Sequence, residues 1–216
     1  MINIAIDGPS ASGKSTIAKR LAKDLGYTHI DTGAMYRAVA YECIRQNVDL
    51  EDEVACFEVA MKTEIELSPE GSIFVNGEDV SNNIRTDEVS QGASKVSKFG
   101  RIRELLVAKQ RKMAEKKGFV MDGRDITSVV LPDAEIKIFQ TADVTVRAQR
   151  RFEELTKKGF DVEFDTLYKE LVDRDYRDMN REESPLIKVE DAIEIDTTYL
   201  SVDEIVALIK KYIESR

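Results

Sequence analysis

Residues Gly8-Pro9-Ser10-Ala11-Ser12-Gly13-Lys14-Ser15 fit G-x-x-x-x-G-K-[ST], the pattern of a phosphate-cradling loop. Its flanks give the pattern a structural context. Before it, Ile2-Asn3-Ile4-Ala5-Ile6 is rich in β-branched residues and reads as a buried strand. After it, Ile17, Leu21 and Leu25 recur every four residues, one face of a helix, and Gly26 stands where a helix ends. Strand, glycine loop and helix in that order call for an α/β fold. A helix N-terminus has unpaired N–H groups and carries about half a positive charge. Glycines let the preceding loop curl its own N–H groups onto the same anion. Gly8, Pro9, Ser10, Ala11, Ser12, Gly13, Lys14, Ser15 and Thr16 therefore form a candidate site for the phosphates of ATP. Lys14 would reach the terminal phosphates and the Ser15 hydroxyl would meet Mg²⁺, directly or through water.

The length, 216 residues, suits one α/β domain with an insertion. A net charge of −9 argues against a general nucleic-acid surface, so any polyanion site must be a local cluster of cations. Cys43 and Cys56 match no metal spacing and read as buried, reduced core residues. The single histidine, His29, lies in an apolar strand and reads as a satisfied core residue. Neither a signal peptide nor a membrane-length apolar run is present in the sequence, which predicts a cytoplasmic protein.

Downstream, residues 27–30 predict a second strand. Asp31 or Thr32 caps a helix over 34–46 that carries Arg37 in its first turn. That arginine is either solvated or faces the phosphate crevice, because both lie at strand C-terminal ends. A short helix is expected at 51–61. Alternation at 63–67 and 72–75, the turn Ser68-Pro69-Glu70-Gly71 and the dipeptide Asn76-Gly77 predict an inserted antiparallel meander. Helices at 87–98 and 101–116 are separated at Gly100.

The apolar strand 118–121 runs into Asp122-Gly123-Arg124-Asp125. Asp122 is either a turn residue or a carboxylate helping to hold Mg²⁺. A strand at 134–139 precedes a helix capped by Asp143 that bears Arg147, Arg150 and Arg151. Arg174, Arg177 and Arg181 fall at i, i+3 and i+7 of a helix over 168–181. They form either a salt-bridged surface or a set of planar forks for phosphate. A last strand at 192–196 and an amphipathic closing helix complete a parallel sheet of about five strands, covered on both faces.

These stretches together resemble the bacterial cytidylate kinases, of the nucleoside monophosphate kinase group. The carriers are Gly8 to Thr16, Asp31-Thr32-Gly33-Ala34-Met35-Tyr36-Arg37, Val80-Ser81 with Ile84-Arg85-Thr86, Asp122-Gly123-Arg124-Asp125, and Arg174 to Arg181. The resemblance implies a P-loop kinase core (1–32, 117–149 and 166–216), a monophosphate-binding insertion (33–116) and a short lid (150–165). It implies transfer of a phosphoryl group from ATP, with Mg²⁺, to CMP and to dCMP. Ser94, Arg103 and Asp125 match the positions that read cytosine. Arg37, Arg124 and Arg181 match ligands of the acceptor phosphate, beside Thr32, where the family usually has serine, and Tyr36. Asp178, with Arg174, matches the ribose contact. Lys14, Arg124, Arg150, Arg174 and Arg181 match the groups around the transferring phosphoryl. A monomer without nucleic-acid or membrane partners is the family expectation. Another small-molecule kinase and a non-catalytic ATP-binding regulator are the competing readings.

Overall fold

The computed structural model describes residues 1–68 and 71–215. Five strands, β1 (Asn3–Asp7), β2 (Thr28–Asp31), β6 (Phe119–Gly123), β7 (Ile136–Thr141) and β8 (Ile193–Asp196), form a parallel sheet in the order β2-β6-β1-β7-β8. Alternation on β1 separates its two faces. Ile4 and Ile6 pack with Ile17 and Leu21 of α1 (Lys14–Leu25) and with Ile205 and Ile209 of α8 (Val202–Glu214). Ala5 faces the opposite layer with Ile30, Met121 and Ile126. Each fully buried isoleucine contributes roughly 1.5–3 kcal/mol. Because all five strands run the same way, the residues following β1, β2 and β6 emerge along one edge of the sheet, where such folds bind ligands.

The insertion has a core of its own. It is built from α2 (Thr32–Arg45), α3 (Glu53–Lys62), α4 (Asp87–Val96) and α5 (Gly100–Ala114). With them goes the expected antiparallel meander of β3 (Ile65–Leu67), β4 (Ile73–Val75) and β5 (Glu78–Asp79), in that order. Pro69 and Glu70 of the expected turn lie outside the described residues. Asp31, rather than Thr32, caps α2 by accepting from the Ala34 N–H. Both cysteines are buried and free, and burial pushes the Cys43 thiol up to about 12.

Three local expectations are corrected, and one segment without an expectation proves helical. The break between α4 and α5 falls at 97–99, and Gly100 opens α5 instead of ending α4, because Phe99 takes the extended N-cap conformation. A π-helical turn, Ile126–Val130, follows β6 where the sequence shows no helical signal. The long late helix, α7 (Phe164–Asn180), starts before residue 168, so it includes part of the segment taken as lid. The rest of that segment is the end of α6 (Val144–Lys157) and the connection 158–163. Finally, Arg181 is not on the α7 face with Arg174 and Arg177. It is the extended C-cap residue, where the chain turns back and the Leu186 N–H bonds to the Asp178 carbonyl.

Candidate active site

The phosphate loop leaves β1 at Gly8, whose φ is +152°. A Cβ there would lie 2.0 Å from the Gln140 carbonyl oxygen, so only glycine lets the loop pass β7. Side chains from other elements hold the loop. Arg147 of α6 donates to the Ser10 carbonyl at 2.9 Å and to Asp175 of α7 at 2.6 Å, and Asp175 accepts the Ser10 N–H at 3.1 Å. Gln140 donates to the Ser12 carbonyl. Lys14 is buried; its Nζ donates to the Pro9 carbonyl at 2.6 Å and to Ser12 Oγ at 3.3 Å. Burial, reinforced by the neighbouring Arg124, holds its ammonium well below the usual lysine range.

Asp122, at the end of β6, accepts from Ser15 Oγ at 2.7 Å through one oxygen and lies 2.7 Å from His29 Nε2 through the other. His29 is therefore not an ordinary core residue: it is half-buried and faces this carboxylate. A hydroxyl and a carboxylate in contact are hard oxygen donors suited to Mg²⁺. Among the described residues no three His, Cys, Asp or Glu side chains form a metal cage. A divalent ion here would take most of its ligands from water and phosphate, as Mg²⁺ does.

Opposite the loop, Thr32 Oγ1 donates to the Asp122 carbonyl at 2.8 Å. That contact leaves only 2.5 Å between Thr32 Oγ1 and a Cβ on Gly123, which explains the glycine between two charged residues. Arg37 pairs with Asp31 at 2.7 Å, and Arg124 pairs with Asp178 at 2.9 Å. Burial pushes the Asp178 carboxyl up, but Arg124, Arg174 and Arg181 outweigh this and hold it below the usual range. The Arg103–Asp125 pair is almost fully buried, with the guanidinium 5.3 Å from the centre of the Tyr36 ring. The backbone bearing Asp125 is fixed from β1. Asp7 accepts the N–H groups of Ile126 (2.8 Å) and Thr127 (2.7 Å) and the Thr127 hydroxyl (2.6 Å). Burial raises the Asp7 carboxyl to about 6 against the pull of these bonds.

What distinguishes this side of the cleft is its unused donors. Tyr36 Oη, Arg37 Nε, Arg103 Nε, Arg174 Nε and one Nη of Arg181 are buried without a hydrogen-bond partner. Arg174 is pushed down to about 10 by burial and by the charges of Arg124, Arg37 and Arg177. Five orphaned donors beside crowded cations describe a pocket shaped for an anion.

Ser94, on α4, accepts from Arg177 at 3.3 Å. Arg150 donates to the carbonyls of Thr197 (2.7 Å) and Thr198 (3.2 Å), beyond the end of β8. Sequence reasoning gave no role to Asp7, Gln140, Arg147 and Asp175. The signal for Asp175 is its spacing: it continues, four residues on, the stripe of Leu167 and Leu171 that α7 buries.

The sequence pattern of the cytidylate kinase family matches residues 4–215. The chain belongs to the cytidylate kinase family. A relative from Bacillus velezensis called cytidylate kinase is 54% identical, over 100% of this chain and 97% of that one. One from Bacillus subtilis, of the same name, is 51% identical over the same shares. Solved structures confirm the fold at long range. An uncharacterised protein from Eubacterium ventriosum superposes with a TM-score of 0.53 at 18% identity, over 100% of both chains. A sugar kinase from Janibacter gives 0.51 at 11%, over 99% of this chain and 95% of that one.

Proposed function

We propose that this chain transfers the γ-phosphoryl group of ATP to CMP, and to dCMP, giving ADP and the diphosphate. Membership in the cytidylate kinase family supports this, and the observation that carries it is the set of orphaned donors clustered around Arg124, the arginine that neighbours Lys14 of the phosphate loop. Arg37, Arg124 and Arg181 would bind the acceptor phosphate near Thr32, with Arg174 beside Asp178 and the transferring phosphoryl. Arg103 and Asp125 would read the base. Cytosine offers an amine to the carboxylate and acceptors to the guanidinium, whereas uracil mismatches both. A buried unpaired group costs about 1–3 kcal/mol, which gives such a site strong discrimination. Ser94 would contribute to base reading and Asp178 to ribose binding.

No general base is required. The acceptor oxygen belongs to a phosphate whose second pKa lies near ~6, so it is anionic at neutral pH. Catalysis then rests on alignment and charge stabilisation by Lys14 and the arginines. Ser15 and Asp122 would hold Mg²⁺, which when bound with ATP neutralises charge on the β- and γ-phosphates. Residues 33–116 would close over CMP and 150–165 over ATP, excluding water. Arg150, whose Nη2 is held by the Thr197 and Thr198 carbonyls, would join the reacting phosphates on that closure.

The test is ADP release measured across all the nucleoside monophosphates. CMP and dCMP are expected to be the preferred acceptors. A preference for AMP, UMP or dTMP would point to another kinase, and ATP binding without acceptor-stimulated ADP release would point to a regulator. Action as a cytoplasmic monomer belongs to the same proposal; sedimentation and cell fractionation check it. Among the described residues no helix is long and apolar enough to cross a membrane.

A further inference from the structure

We propose that His29 is a positioning residue for the metal-holding carboxylate, an inference that rests on the Mg²⁺–ATP reading above. His29 is the chain's single histidine. It stands on β2, the edge strand next to β6, and the register sets it beside Val120, two residues before Asp122. Its Nε2 lies 2.7 Å from Asp122 Oδ1, while Asp122 Oδ2 takes the Ser15 hydroxyl, also at 2.7 Å. Asp122 is only 3% exposed, so with both oxygens engaged its rotation is locked from two sides.

An ionised carboxylate only accepts hydrogen bonds, so the proton in this contact sits on Nε2. The ring is not merely filling space. Its side chain is 14% exposed and borders a cavity of about 510 Å³ shared with Ser15, Lys19 and Lys23. A purely apolar side chain would fill the same position but leave Oδ1 of a buried carboxylate without its partner. The carboxylate would then be free to rotate toward other donors. His29 thus fixes which oxygen Asp122 shares with Ser15 and presents to a metal-bound water. Partners of this kind, one shell out from the metal, typically change metal affinity by 10–100-fold when removed.

The experiment compares wild type, His29→Leu and His29→Gln with Mn²⁺ as the probe, in the presence of a non-hydrolysable ATP analogue, by electron paramagnetic resonance. His29→Leu is expected to bind Mn²⁺ about tenfold more weakly. His29→Gln, which keeps an N–H donor, should recover most of that loss. CMP binding measured without metal should not change. In wild type, ¹⁵N spectra of the one imidazole should show a proton on Nε2. Wild-type Mn²⁺ affinity in His29→Leu, or an imidazole bearing its only proton on Nδ1, would overturn the inference while leaving kinase activity in place. A fall in melting temperature in both variants at unchanged Mn²⁺ affinity would also overturn it, as a structural role only. Failure of wild type to bind Mn²⁺ with nucleotide would overturn both this inference and the Mg²⁺–ATP reading beneath it.

Discussion

The two halves of the cleft meet their polar requirements in opposite ways. On the loop side the side chains that shape the loop have partners inside the protein: Lys14 bonds Pro9 and Ser12, Arg147 and Asp175 clamp Ser10, and Ser15 bonds Asp122. Across the cleft, donors of Tyr36, Arg37, Arg103, Arg174 and Arg181 are buried and unused. The loop is held in shape before any ligand arrives, so its substitutions should act on the reaction more than on stability. The opposing pocket stores unfavourable charge, so its substitutions and its ligands should move stability directly.

The largest test of that contrast is Asp125→Ala. It leaves Arg103 buried without its counter-charge, which should cost about 3–5 kcal/mol, read from denaturant midpoints. The preference for CMP over UMP in kcat/KM should vanish as well. Replacing both partners, Arg103→Met with Asp125→Leu, should recover stability but not the preference. Lys14→Met should reverse the pattern, with turnover falling about 10²–10³-fold at unchanged CMP KM, and with a melting temperature that rises, because a buried ammonium is removed. A large loss of stability in that variant would break the contrast.

Smaller effects come from Asp7 and from anions. The Asp7 carboxyl sits at about 6 in the fold against 3.8 for the free group. A raised carboxyl favours its neutral form, so its contribution is full below pH ~4 and is lost as pH rises through ~6, by on the order of 3 kcal/mol. Wild type should therefore lose stability relative to Asp7→Asn between pH 4 and 6.5 in chemical denaturation. Smallest of all, sulfate at ten times its Kd should raise unfolding free energy by roughly 1.4 kcal/mol. Arg181→Ala, short of one orphaned donor, should respond less, which calorimetric melting would show.

The sheet and its order of elements were legible because each depends on a local signal: β-branched runs, helix spacing at Ile17, Leu21 and Leu25, and an Asn-Gly turn. The loop was legible because its glycines and lysine are contiguous. Contacts made only by folding were not. Arg147 and Asp175 stand 28 residues apart and meet only when α6 lies against α7. His29 meets Asp122 because β2 pairs with β6, and nothing near His29 in sequence announces that neighbour. Arg181 fits the i+7 spacing perfectly well, yet the helix ends one residue earlier, where the chain turns toward Pro185 and Leu186.

Asp7 is the last residue of β1 and the neighbour of Gly8, yet its side chain fastens the turn that bears Asp125. One side chain thus ties the strand that feeds the phosphate loop to the turn that bears Asp125. With the two sites placed as proposed, the gap for the phosphoryl group would be set by that tie rather than by either pocket. Pockets on either side are free to change what they hold, while the stride between them stays fixed.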